Sequence, residues 1–167
     1  MLRDYIRPFT GRSFASCNIP IILRNCVALL LNASQIKKLD VVAGPSTGGI
    51  ILAFETARQL GVRSIFAEEE GEIRVFRRDF DIAPGEHVLI VDDILTTGGS
   101  IRETMSAVDR FGGVIVGVGV LVDRRQEGVD FGVPLFSCLR APTITYSAEE
   151  CPLCAAHIPL TKPGGQG

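Results

Sequence analysis

The sequence predicts an α/β protein built on a mainly parallel sheet with helices on both faces. Short apolar segments alternate with segments of helical periodicity from residue 40 onward, an order that is typical of parallel sheets. The run at 114–122 is apolar apart from glycines, which suits a strand covered on both faces. At 167 residues, the chain has the length of a single domain with a substantial core.

The predicted strands and helices follow one another in a regular order. Apolar runs predict strands at residues 40–44, 63–67, 87–91 and 114–122. Helices are predicted at 49–60, where Gly61 ends the pattern, and at 100–111, where Gly112 and Gly113 end it. A further helix is predicted at 20–32, with Pro20 in its first turn.

Two segments show neither pattern. Residues 68–86 are polar and charged, and we interpret them as a long loop or a loose hairpin. Loops of that length are often lids over active sites, so this segment is a candidate lid. The tail at 162–167, KPGGQG, is predicted to be disordered.

The composition excludes several classes of partner. A formal net charge of -2 gives no electrostatic basis for binding nucleic acid. The longest apolar stretch, 19–31, is interrupted by Pro20, Arg24 and Asn25 and is too short and polar to cross a membrane. The N-terminus lacks the pattern of a secretion signal, which predicts a cytoplasmic protein. Five cysteines, an odd number, do not resemble a disulfide framework.

The run VLIVDDILTTGGS at 88–100 carries the clearest chemical signal. Asp92 and Asp93 follow an apolar strand, and a loop of threonines and glycines then leads into a helix. Backbone N–H groups at the start of a helix bind anions, whereas carboxylates suit sugar hydroxyls, Mg²⁺ or a developing positive charge. The run therefore indicates a site for a phosphorylated sugar. The alternative is a strand–turn–helix corner in which the aspartates only cap the helix.

The same run resembles the phosphoribosyl-pyrophosphate signature of type I phosphoribosyltransferases. Two further segments match that family, namely AGPSTGGI at 43–50, where it places its pyrophosphate loop, and FDIAPGE at 80–86. Its orotate-specific members are the most similar, through GRS at 11–13, NIP at 18–20, VDR at 122–124, CPLC at 151–154 and IPL at 158–160. The resemblance implies one domain over residues 1–167, with a core at 35–133 and a small hood formed by 1–20 and 134–160.

The resemblance also implies a reaction and a set of roles. The family transfers a phosphoribosyl group from phosphoribosyl pyrophosphate to a base, here orotate, and gives orotidine 5′-phosphate and pyrophosphate. Asp92 and Asp93 would bind the ribose hydroxyls and stabilise positive charge on the ring, and Arg124 would bind the base. The phosphate contacts would come from Thr96, Thr97, Gly98, Gly99 and Ser100 for the 5′-phosphate, and from Ser46, Thr47, Gly48, Arg74, Arg77 and Arg78 for pyrophosphate.

Two partners follow from the same resemblance. Mg²⁺ is the expected cofactor, and it would be held mainly through the substrate rather than by dedicated protein ligands. A homodimer is expected because members of the family commonly complete the site with lid residues from the neighbouring subunit. The lid of this chain, at 68–80, would supply those residues.

The chain also departs from the orotate-specific members. The second strand is followed by Glu68-Glu69-Glu70, and no lysine occurs between Gly61 and Gly85, whereas those members carry a basic residue and a lid lysine there. Their first signature acid is more often glutamate than aspartate. Two alternatives therefore stay open: a phosphoribosyltransferase for another base, purine or pyrimidine, and a regulator that binds phosphoribosyl pyrophosphate without turnover.

Two smaller features have alternative interpretations. Arg124 is equally consistent with a surface charge that follows a strand. Cys151, Cys154 and His157, with Cys138 as a fourth ligand, are spaced like a zinc half-site. Packing of the thiols in the interior is the default interpretation of these cysteines.

Overall fold

A computed structural model describes residues 38–126, 128–142, 146 and 149–158, which form a six-stranded sheet with flanking helices. The strands are β1 (Val41–Pro45), β2 (Arg63–Glu70), β3 (Ile73–Phe76), β4 (His87–Leu95), β5 (Val114–Asp123) and β6 (Leu135–Arg140). The helices are α1 (Gly48–Leu60), α2 (Gly99–Arg110) and the short α3 (Pro152–Ala155). Among these helices, none combines the length and apolarity that crossing a membrane requires.

The strand order in the sheet is β3-β2-β1-β4-β5-β6. β1 pairs in parallel with both β2 and β4, β5 pairs in parallel with β4 and β6, and β3 alone is antiparallel to its neighbour β2. The order reverses at β1 and β4, where one helix leaves the sheet on each side. Ligands bind at such switch points in open parallel sheets. The predicted fold class is confirmed.

The two long helices cover opposite faces of the sheet. Val41 and Val88 belong to a buried cluster with Ile101 of α2, whereas the next residues along the same strands, Val42 and Leu89, belong to a cluster with α1. This alternation follows from the two-residue period of a strand. Each of these side chains contributes roughly 1.5 to 3 kcal/mol by leaving water.

Most predicted boundaries agree with the structure to within one or two residues. α1 ends at Gly61, whose φ of 67° is left-handed and whose N–H donates to the carbonyl of Ala57. Glycine adopts that conformation without strain, which is why it ends the helix. β4 extends to Leu95, so that Asp92 and Asp93 lie within the end of the strand rather than after it.

The segment predicted as a long loop or a loose hairpin is largely a hairpin. β2 continues to Glu70 and pairs with β3, with Glu69 opposite Arg74 and Glu70 opposite Ile73. The loop interpretation of residues 68–76 was therefore wrong, and the hairpin alternative is confirmed. Its charged strands lack the apolar alternation that identifies a strand in sequence. Whether the segment moves as a lid stays a prediction.

The core sheet extends further along the chain than the predicted limit at residue 133. β6 pairs with β5 through Val118 and Leu135 at one end and Asp123 and Arg140 at the other, although the segment that forms β6 was assigned to the hood. The other part of the predicted hood, 1–20, lies outside the described residues, as do the predicted helix at 20–32 and the tail at 162–167. The single-domain arrangement stays a prediction.

Candidate active site

Two helix N-termini lie side by side at the carboxyl edge of the sheet. α1 starts after Thr47 and α2 starts after Gly98, and at both starts no described side chain caps the helix. Neither helix has an acidic residue in its first turn. The first N–H groups of a helix have no partner within it, and they carry partial positive charge. Thr47, Gly48, Thr97 and Gly99 are exposed, so this edge is suited to binding anions.

Asp92 lies near the end of β4, beside the start of α2, and is only 5% exposed. Its Oδ2 accepts a hydrogen bond of 2.9 Å from the Ser100 hydroxyl, and its Oδ1 accepts one of 2.9 Å from the backbone N–H of Asp93. Burial raises the pKa of Asp92 from 3.8 to about 6, against the lowering effect of those hydrogen bonds. The Ser100 hydroxyl donates to Asp92 in this arrangement, so its backbone N–H is the donor that faces an anion at the start of α2.

Asp93, near the end of β4, lies close to the first residue of α1. Its Oδ1 accepts a hydrogen bond of 2.8 Å from the backbone N–H of Ile94. A Cβ atom placed on Gly48 would lie 2.3 Å from Oδ2 of Asp93, closer than any side chain tolerates. Glycine is therefore required at the first position of α1 for the carboxylate to approach its backbone. The peptide bond between Ser46 and Thr47, just before Gly48, is cis.

The loop at the start of α2 is supported from behind by Phe131, which the sequence did not indicate. Gly98 has a φ of 83°, and a Cβ there would lie 3.0 Å from Cζ of the buried Phe131 ring. Arg102 stacks over the same ring at 5.3 Å and donates a 2.9 Å hydrogen bond to the carbonyl of Asp130. Phe131 therefore limits how far the loop can move away from the site.

Arg74 does not extend from a lid as expected. It is 4% exposed, and its Nη1 donates to the carbonyl and the hydroxyl of Ser46 at 3.1 and 3.2 Å. Nη2 donates to Glu69 at 2.8 Å. Nε is 3.2 Å from Oε2 of Glu103, an ion pair in which the buried Nε–H is not aligned for a hydrogen bond. Arg74 thus lies beneath the loop that precedes α1.

The other two lid arginines lie at the surface. Arg77 pairs with Glu70 at 2.7 Å, and Arg78 pairs with Glu68 at 2.9 Å. Their side chains are 51% and 66% exposed. Exposed ion pairs contribute little to stability, so both guanidinium groups can exchange a glutamate for another anion at small cost.

Arg124 follows β5, and its backbone N–H donates to the carbonyl of Leu95 at 2.9 Å, which brings it beside the end of β4. Its neighbours form a buried ion pair in which Arg125 donates to both carboxylate oxygens of Asp123, at 2.9 and 2.8 Å. The hydrogen bonds from Arg125 lower the pKa of Asp123. Arg125 also donates to the carbonyl of Val129 at 2.9 Å, so it fixes the start of the loop that carries Phe131.

Comparison with known proteins identifies the family. The family described as "Phosphoribosyl transferase domain" matches residues 18–139. The chain belongs to this phosphoribosyltransferase family. An orotate phosphoribosyltransferase from Caldanaerobacter subterraneus subsp. tengcongensis is 52% identical over 129 residues, which are 77% of this chain and 68% of that protein. The resemblance that the signature predicted is thereby confirmed.

Solved structures of phosphoribosyltransferases share the fold. The adenine phosphoribosyltransferase from Rhodothermus marinus matches with a TM-score of 0.61 at 26% identity, over 71% of this chain and 78% of that one. The orotate phosphoribosyltransferase from Aeropyrum pernix matches with a TM-score of 0.59 at 28% identity, over 70% of each chain. The fold is therefore shared by phosphoribosyltransferases that are named for different bases, adenine and orotate.

The residues of the zinc alternative all lie in the described part of this phosphoribosyltransferase. Cys138, Cys151 and Cys154 form no disulfide with one another, and Cys151 is buried at the start of α3. Within the described residues, no three or more metal-binding side chains gather into a group that could hold an ion. A hydrogen bond from the backbone N–H of Cys154 lowers the pKa of the Cys151 thiol. Cys17 and Cys26 lie outside the described residues.

Proposed function

We propose that this protein transfers the phosphoribosyl group of phosphoribosyl pyrophosphate to orotate, giving orotidine 5′-phosphate and pyrophosphate. The observation that carries the proposal is the pairing of Asp92 and Asp93 with two uncapped helix starts at one edge of the sheet. Two anion sites on either side of a carboxylate pair suit a sugar that carries phosphate groups at both ends. The 52% identity with a protein named orotate phosphoribosyltransferase supports the base.

Each end of the substrate has its own loop in this proposal. The start of α2 binds the 5′-phosphate, through the residues Thr96, Thr97, Gly98, Gly99 and Ser100. The start of α1 binds pyrophosphate, through Ser46, Thr47 and Gly48. Two anchored phosphate groups fix the ribose between them, and alignment of the reacting atoms alone lowers a barrier by several kcal/mol.

Asp92 and Asp93 act on the ribose. The bond between C1 and the pyrophosphate oxygen breaks as a ring nitrogen of the base forms its bond to C1, and positive charge develops on the ring. A carboxylate that is fixed before the reaction stabilises this charge without reorganising. Asp93 accepts a hydrogen bond from Ile94 and Asp92 accepts one from Ser100, so both carboxylates are oriented before substrate binds. Asp92 is charged above a pH of about 6, the value of its pKa.

Mg²⁺ fits this site as an ion that arrives with the substrate. The donors near the helix starts are carboxylate and hydroxyl oxygens, the kind that Mg²⁺ prefers, but both oxygens of Asp92 already accept hydrogen bonds. Asp93 is the carboxylate that would contact the ion. When bound, Mg²⁺ supplies charge neutralisation for the departing pyrophosphate. Arg77 and Arg78 add exposed positive charge on the nearby hairpin.

The base is the least constrained part of the proposal. Arg124 lies next to the end of β4 and is the candidate partner for the carboxylate of orotate. A second candidate is transfer to adenine, because the fold is shared with an adenine phosphoribosyltransferase. Adenine has no carboxylate, so Arg124→Met should impair turnover of orotate, whereas under the second candidate function it would leave turnover of adenine unaffected.

A spectrophotometric assay tests the function. Orotate or adenine is mixed with phosphoribosyl pyrophosphate, Mg²⁺ and the protein, and the loss of orotate absorbance and the release of pyrophosphate are followed. We expect turnover with orotate, none when adenine replaces it, and a large loss in the Asp93→Asn variant. Turnover with adenine alone would support the second candidate. Binding of phosphoribosyl pyrophosphate without turnover of either base would contradict both enzymatic proposals.

Location and assembly complete the proposal. The described cysteines form no disulfide with one another, which suits the reducing cytoplasm. A homodimer is proposed because the exposed Arg77 and Arg78 lie on an edge hairpin, where they can extend to the site of a second subunit.

A further inference from the structure

The edge strand β3 buries a charged side chain and exposes an apolar one. Ile73 is exposed, whereas Arg74 and Phe76 are buried on the inner side of the hairpin. A charged group that leaves water costs several kcal/mol unless it is paired and hydrogen-bonded. An inward-pointing charge on an edge strand can simply prevent aggregation, and that role would require only burial of the charge. The groups that Arg74 contacts show whether it only prevents aggregation or also positions part of the site.

Those partners connect the two proposed phosphate loops. The Arg74 guanidinium donates to the carbonyl and hydroxyl oxygens of Ser46, which precedes α1, and pairs with Glu103, one turn into α2. The same helix also binds the backbone of Arg74, since Arg110 donates to its carbonyl at 2.6 Å. Arg74 therefore fixes the Ser46 loop to the helix whose start forms the other anion site.

The hydrogen bond to the Ser46 hydroxyl has a chemical consequence. A hydroxyl group has one proton to donate and lone pairs that accept. Because Oγ of Ser46 accepts from Arg74 at 3.2 Å, its own proton is left to donate to another group, such as a pyrophosphate oxygen. The exposed Arg77 and Arg78 have no such fixed geometry toward the loop.

We infer that Arg74 is a positioning residue for pyrophosphate, which orients Ser46 and the following backbone through a buried guanidinium instead of closing over the substrate as part of a lid. This inference rests on the proposed function and adds to it. It assigns the three arginines of the hairpin to two tasks. Arg74 shapes the pyrophosphate loop, and Arg77 and Arg78 remain exchangeable surface cations.

The reverse reaction separates the two ends of the substrate, because pyrophosphate and orotidine 5′-phosphate are then added independently. In Arg74→Met we expect the KM for pyrophosphate to rise on the order of tenfold, while the KM for the nucleotide changes by less than about twofold. Arg74→Lys keeps the charge but lacks the forked donors, so it should show a smaller rise of the same kind. Calorimetric titration of inorganic pyrophosphate with Mg²⁺ provides a second measurement that needs no turnover.

Arg63→Met is the matched control. Arg63 is the first residue of β2, at the end of the sheet opposite to the carboxyl edge that carries the site. It forms ion pairs with Asp81 and Glu86 and so also connects distant segments. We expect it to change neither KM and to have at most a small effect on the Tm, because these ion pairs are largely exposed. If Arg74→Met behaves in the same way, or if Arg74→Lys binds pyrophosphate as the wild type does, the inference is wrong. If Arg74→Met fails to fold, the lysine variant decides. Failure of the proposed function is distinguishable, because the wild-type protein would then lack turnover with orotate.

Discussion

Asp92 is an acid in a place where a carboxylate is costly. It is buried at the end of β4, and burial raises its pKa to about 6. The folded protein therefore holds this proton more tightly than the unfolded chain, whose aspartates titrate near pH 3.9. Stability from this group is fully present below that pH and is lost as the pH rises through about 6. At neutral pH the site has its charge at the expense of folding stability.

The variant Asp92→Asn tests this conflict. Asparagine keeps the shape and can still accept from the backbone N–H of Asp93, but it has no charge to bury. We expect its free energy of unfolding to exceed that of the wild type at pH 8 by on the order of 1 to 3 kcal/mol, and to equal it at pH 4. Urea unfolding at both pH values measures this. If the variant and the wild type differ in free energy of unfolding by the same amount at both pH values, titration of Asp92 does not cause the difference.

Asp93 and Thr97 should differ in the kind of defect that their loss produces. In the proposed mechanism, Asp93→Asn removes a charge that acts on the transition state, so we expect kcat to fall about a hundredfold or more with a smaller change in substrate binding. Thr97→Ala removes a hydroxyl that is proposed to bind phosphate in ground and transition states alike. It should weaken binding by about 1 to 2 kcal/mol and leave kcat nearly unchanged. Steady-state kinetics distinguishes the two. Normal kcat and affinity in both variants would reduce the run at 88–100 to a structural corner.

The sequence identified these residues but not how they are held. Two adjacent aspartates before a glycine-rich turn are visible in any sequence, because the residues are contiguous. The bond from Ser100 to Asp92 depends on how α2 leaves the strand, and Ser100 was therefore assigned to phosphate alone. The burial of Arg74 depends on the pairing of β2 with β3, which places it under a loop 28 residues away. Such contacts between distant segments leave no periodic pattern.

The first turn of α1 and the end of β4 form one unit at the scale of elements. Gly48 and Asp93 are so close that a methyl group between them has no room. The positions of both elements are fixed by the sheet, since β1 and β4 are neighbours in parallel. A change at Gly48 must therefore be absorbed by the loop or by the carboxylate.

The variant Gly48→Ala tests this unit. Its Cβ would lie 2.3 Å from Oδ2 of Asp93, so the carboxylate must turn away, and we expect kcat/KM to fall about a hundredfold. Gly128→Ala is the control, because Gly128 has open space around it and lies in a loop. It should keep both stability and activity. If Gly48→Ala keeps its activity, the close approach of Asp93 to α1 is not required for catalysis.

Elements with a strong apolar period were predictable, and elements without it were not. The bounds of α1 and α2 were predicted within two residues because glycines flank both helices. The extension of β2 into Glu68–Glu70 was missed, since three glutamates in a row indicate a solvated turn. In the structure these glutamates form ion pairs with Arg78, Arg74 and Arg77 across the hairpin. These ion pairs, which form only when the hairpin folds, balance the charge that makes the segment resemble a turn in the sequence.

The whole molecule is proposed to act as a homodimer. Ile51 and Phe54, one turn apart on α1, are exposed apolar side chains of the kind that a second subunit can cover. Arg77 and Arg78 lie beyond the core on the edge hairpin. If each hairpin serves the site of its partner, neither subunit has a complete site alone. Light scattering should give about twice the 18.0 kDa mass of one chain.

Mixing two variants, each of which should lack most of its activity if the hairpin serves a site, tests whether the hairpin acts across the dimer. One variant carries Asp93→Asn with an intact hairpin, and the other carries Arg77→Met and Arg78→Met with an intact Asp93. In a mixed dimer, one site then combines the intact Asp93 of one chain with the intact hairpin of the other. Random exchange places half of the chains in mixed dimers, so we expect roughly a quarter of the wild-type activity to return.

If each hairpin served its own chain, no site in any dimer would be intact and mixing would restore nothing. Each variant incubated alone through the same exchange procedure is the control, and a monomer with full activity would exclude the arrangement.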